Sequence, residues 1–169
     1  MALSIYQASV PVFVRSLNSL KNILAKGAAH AQAKKIDEEA FMQARLAPDM
    51  FPLTTQVHIA TDMARGGAAR LTGSEPPKYE DTEKTFAELI ARVEKTIAYV
   101  QSLPEASFDG GDTRTITRPV RGQPKTFTGV NYLQQFIVPN LYFHTTTVYD
   151  LLRHNGVELG KPDFIGSLD

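Results

Sequence analysis

Between Asp81 and Leu103 the chain places Phe86, Leu89, Ile90, Val93, Ile97 and Val100 three or four residues apart, with charged side chains between them. That period has one physical outlet, an α-helix with a single apolar face that must be buried against other helices. Three more segments carry the same signal. Ser4 to Ala33 aligns Val10, Phe13, Leu17, Leu20 and Leu24, with Pro11 near its start, where a proline is tolerated in the first turn or bends the helix. Asp49 to Leu71 aligns Val57, Ala60, Ala64, Ala68 and Leu71, mostly small residues that let neighbouring helices approach, and Gly73 closes it. The stretch after Thr128 aligns Leu133, Ile137, Leu141, Val148, Leu151 and Leu152 up to the stop signal Asn155-Gly156.

The connections complete the expectation. Ile36 to Leu46 reads as a short connecting helix capped by Asp37, with Glu38 and Glu39 at the positive end of its dipole. GSEPPKYEDTEK is a polar, proline-bearing link. Thr113 to Thr117 alternates as a strand, and RGQPKTFTG returns as its hairpin partner. The expected fold class is all-α: one domain over residues 1–169, a four-helix bundle with a short β-hairpin before the last helix.

Eighteen basic residues balance eighteen acidic ones, so no whole-chain field draws the protein to nucleic acid or to an anionic membrane. There is no cysteine, which removes disulfides, thiolate ligands and a cysteine nucleophile together. No apolar run approaches the ~18 residues of a membrane span. The first basic residue is Arg15, so the N-terminus makes a poor secretory signal, and a cytoplasmic location is the expectation.

Within the apolar stripe of the last helix stand two polar residues, Asn140 and His144, one turn apart and on one face. Burying such groups without partners costs ~1–3 kcal/mol each. Hydrogen bonds or a metal ion must compensate them. Pro139, immediately before, withholds the N–H that the carbonyl of Gln135 would accept, which predicts a bend beside the pair.

Asn140-Leu-Tyr-Phe-His144, followed nine residues later by Leu-Arg153, resembles the last-helix signature of the DinB/YfiT-like superfamily. QVHIATDMA around His58 resembles its second long helix. RLAPDMFPL, ARLTGSEPP and LRHNGVELGKPDFIG are similar to an uncharacterised bacterial family within it, over nearly the whole chain. The resemblance implies a bundle that is often a homodimer. It also implies a divalent-metal site (zinc, nickel or manganese) built from one histidine of the second long helix and a His-x-x-x-His pair of the last, in some members serving thiol-dependent transfer or isomerisation. Residue by residue, His58 takes the first position and His144 the last. Asn140 stands where the pair's other histidine is expected, and an amide oxygen is a weak ligand for zinc or nickel. Asp62, one turn after His58, is the nearest carboxylate by sequence and is expected to orient the imidazole or supply an oxygen.

Two functional readings follow. One is a binding or scaffold module, with a polar pocket holding a small ligand between the second and last long helices. The other is a metal-dependent enzyme using His58 and His144. Other polar residues have ordinary explanations. His30 lies among alanines, and Arg153 and His154 complement the dipole at a helix end. Gly66-Gly67 reads as a close helix contact. Arg114, Arg118, Arg121 and Lys125, beside Pro119 and Pro124, form an exposed, charge-protected hairpin edge or a surface for an anion or a partner.

Overall fold

The computed structural model describes residues 3–166. Helix α1 (Ile5–Lys34) starts in a capping box: the Ser4 hydroxyl accepts from Gln7 N–H while the Gln7 side chain accepts from Ser4 N–H. Pro11 sits inside α1 and is exposed. A short α2 (Glu38–Met42), N-capped by Asp37, leads to α3 (Leu53–Thr72). Helix α3 begins four residues later than its pattern predicts, because Pro52 holds extended backbone at the N-cap and disfavours helix in the residue before it.

Helix α4 (Phe86–Ser102) also starts later than predicted. Thr85 and Glu88 form its capping box, and Glu38 of α2 accepts from Phe86 N–H at 2.8 Å. These partners fix the start of the helix and leave residues 74–85 as a non-helical strap. Strands β1 (Thr115–Val120) and β2 (Gln123–Thr128) form a two-stranded antiparallel hairpin; β1 begins two residues later and runs three residues further than the alternation indicates, and β2 lies within the expected return segment. Its Arg121-Gly122 tip has φ +52° and +77°. Both tip residues having positive φ marks a type I′ turn, which favours Asn-Gly; the arginine is therefore held in a conformation costing about 1–2 kcal/mol.

Thr128 caps the last helical stretch through Asn131 N–H. That stretch comprises α5 (Gly129–Asn131), a π-helical segment (Tyr132–Ile137) and α6 (Val138–His154). At the position where a bend is expected, the helix passes through this π segment immediately before Val138 and Pro139. Val138 N–H donates to Leu133, five residues back, so the wider turn absorbs the proline's missing donor. A final short helix, α7 (Lys161–Ile165), is tied to α1 by Lys26 and Asp163 at 2.6 Å.

The fold is mostly helical. One core joins the long helices, with Phe13, Leu17 and Leu20 from α1, Val57, Ala60 and Ala64 from α3, Leu89 and Val93 from α4, and Leu141 and Val148 from α6. Helix α3 packs chiefly on α6 and α4, and α1 on α4 and α6. At Gly67 a Cβ would press on Ile137 and Phe13, so the close contact read from the glycine pair is real at that position. No helix among the described residues is long and apolar enough to cross a membrane.

Candidate functional site

The apolar stripe of α3 has polar residues on both flanks. Gln56 and His58, two residues apart, project about 200° from each other around the helix. Gln56 faces α6, where its Oε1 lies 2.6 Å from Nδ1 of His144. On the other flank are His58, Thr61, Asp62 and Arg65, which face α4 and the strap.

The two histidines of the expected His58, His144 and Asn140 grouping have different partners, Gln56 for His144 and the strap for His58. Asn140 is half-buried, and its amide donates to the Phe136 carbonyl of its own helix at 2.6 Å. Asp62 does not orient His58; it accepts from Arg65 at 2.7 Å and from Arg92 at 3.2 Å.

His144 is only 8% exposed, and burial lowers its pKa from 6.5 to about 4. The folded chain thus binds fewer protons than the unfolded chain between those pH values. The stabilisation is complete above about pH 6.5 and is lost as the pH falls toward 4. Urea unfolding should show a loss of about 2 kcal/mol from this residue between pH 7 and pH 5. A His144→Gln variant should lack that component, and an equal slope in both proteins would disprove the assignment.

Around His58 the strap contributes what the sequence pattern hides. Nε2 of His58 lies 2.9 Å from Oε2 of Glu83, and Nδ1 lies 3.8 Å from Oδ1 of Asp81. His58 is 8% exposed. Its Nε2 is not aligned with Glu83 as donor to acceptor, leaving it a buried nitrogen without a hydrogen bond. One ligand atom from each of His58, Asp81 and Glu83 falls within 4.8 Å of the others. The alternation in Tyr-Glu-Asp-Thr-Glu explains the pairing, since residues 81 and 83 of an extended segment point the same way. Reading Asp81 as the start of a helix conceals this.

Arg92 of α4, 3% exposed, ties the cluster together. Its Nε donates to Thr61 Oγ1 at 2.9 Å. Nη1 donates to the Glu80 carbonyl at 2.9 Å and to Glu83 at 3.2 Å, and Nη2 meets Asp81 at 2.9 Å and Asp62 at 3.2 Å. Tyr79 completes the strap's attachment, with the Arg65 guanidinium 3.9 Å and the Lys95 ammonium 4.2 Å from its ring centre.

A solved structure, that of a DinB family member protein from Shewanella denitrificans, is 43% identical to this chain. The match has a TM-score of 0.91 and covers 97% of this chain and 93% of that one. No curated protein matches. The model of a domain of unknown function, DUF1993, matches residues 5–165. This chain thus belongs to the DUF1993 family, and its fold is DinB-like.

Proposed function

We propose that this DinB-like four-helix bundle binds one divalent cation through His58, Asp81 and Glu83. The observation that carries the reading is the buried, unbonded Nε2 of His58, 2.9 Å from a Glu83 oxygen. One imidazole nitrogen and one carboxylate oxygen from each of Asp81 and Glu83 lie within 4.8 Å of one another, so the three could turn toward a shared cation. One imidazole with two carboxylates suits zinc or manganese, and solvent would fill the remaining positions. Such a cation would supply Lewis acidity or lower the pKa of a bound water. The substrate would reach it past the exposed Asp81.

A second reading, a metal-free scaffold, draws on Arg92, which already bonds both carboxylates. Metal titration separates the two. Untagged protein, stripped of metal and dialysed against zinc or manganese, should retain close to one equivalent. His58→Ala and Glu83→Gln should each lower the affinity at least tenfold while far-UV dichroism stays unchanged. Retention below about a tenth of an equivalent favours the scaffold. We also propose a cytoplasmic homodimer, with exposed Tyr142, Phe143 and Ile165 offering apolar surface. Light scattering should give twice the 18.6 kDa chain mass.

A further inference from the structure

The β1–β2 hairpin carries positive charge at some cost to its own pairing. From Thr113 to Tyr149, 37 residues, there is no aspartate or glutamate, and the four basic residues of that stretch all lie between Arg114 and Lys125. Arg118 and Lys125 are direct cross-strand partners, an arrangement of like charges that weakens a hairpin. Among the described residues no carboxylate pairs with Arg114, Arg118, Arg121 or Lys125, whereas Lys21, Lys26, Arg65 and Arg92 all have one.

The tip adds to this. Arg121 occupies a left-handed position that asparagine or glycine fills with less strain, so the turn keeps a cation where turn chemistry does not ask for one. Arg118 is stacked over Phe136 of the π-helical segment at 4.6 Å and Lys125 lies 5.5 Å from the Phe127 ring centre of β2, so both cations rest on aromatic rings. Beside them, Lys125, Thr126, Phe127, Thr128, Asn131 and Gln135 line a shallow cleft of about 340 Å³.

We propose that this hairpin is a docking arm for a short acidic peptide segment of a partner protein. The length of the basic stretch favours that occupant over a nucleic acid. Exposed Asp109 and Asp112 lie at the base of the arm, so a long polyanion running past it meets repulsion. Opposite the arm's other side chains, strand addition is impeded at the tip. Pro119 and Pro124 are paired there, and neither has an N–H to offer.

The test uses the full chain and a fluorescein-labelled twelve-residue oligoglutamate, read by anisotropy, with a single-stranded DNA 20-mer of mixed sequence as comparison. Two variants are needed. Arg121→Gly fits the left-handed turn and should raise Tm by a few degrees while weakening peptide binding about threefold or more. Lys125→Glu should weaken it at least tenfold, and raising the salt from 50 to 300 mM should weaken it for the parent. Peptide binding that is absent at high micromolar protein, or unchanged in both variants, overturns the proposal. So does DNA binding tenfold tighter than peptide binding and abolished by Lys125→Glu, which would identify a nucleic-acid arm instead.

Discussion

Replacing Gly129 by alanine is expected to cost about 3 kcal/mol or more. Gly129 opens the last helical stretch, where a Cβ would run into the backbone of Gly111 and approach Asp112. The obstacle is a carbonyl rather than a flexible side chain, so relief requires the 108–113 turn and the helix start to separate. Val130 N–H donates to the Asp112 carbonyl at 2.9 Å, and this contact would be lost with that movement. Chemical denaturation of Gly129→Ala beside the parent measures the effect. A loss below 1 kcal/mol would mean that the two segments do not pack as described.

Arg92→Met is the second large expectation, with a loss of about 3 kcal/mol. The substitution keeps most of the apolar stem and removes the guanidinium. It leaves Thr61, Asp62, Asp81 and Glu83 without their shared donor. Glu83 bears most of the cost, since its side chain is 15% exposed against 58% for Asp81. The strap between residues 74 and 85 should loosen, with faster amide exchange there than in α1. Unchanged stability would show that these ion pairs are solvent-screened and contribute little.

Much of the architecture is legible in the sequence because apolar residues at helical spacing have only one way to be buried. The stripes Phe86–Val100 and Val57–Leu71 lie in the core as expected, and Asp37, Thr128 and Gly73 act as the caps their chemistry suggests. Helix starts are less legible. At Phe86 the decision rests on the Thr85–Glu88 box and on Glu38 from a distant segment, and the latter is a tertiary contact.

The candidate site was half legible. His144 stands out as a polar residue in an apolar stripe and His58 through the family resemblance, and both are buried. Their grouping was not legible, because spacing along one helix does not say which neighbour each face meets. Gln56 on one flank and His58 on the other send the two histidines to different partners. Asn140 finds its compensation within its own helix. Asp81 and Glu83 lie where the polar link overlaps the expected start of the helix, and their convergence on His58 depends on Arg92 holding the strap in place.

The most direct test of the central claim is a zinc titration of protein labelled with ¹⁵N in its histidine side chains. The His58 Nε2 resonance should shift with the profile of a directly bound metal, saturate near one equivalent, and lose that response in Glu83→Gln, while the ring nitrogens of His144 do not move. A response in which His144 shifts together with His58, or in which His58 stays unmoved at excess zinc, would contradict the site as described.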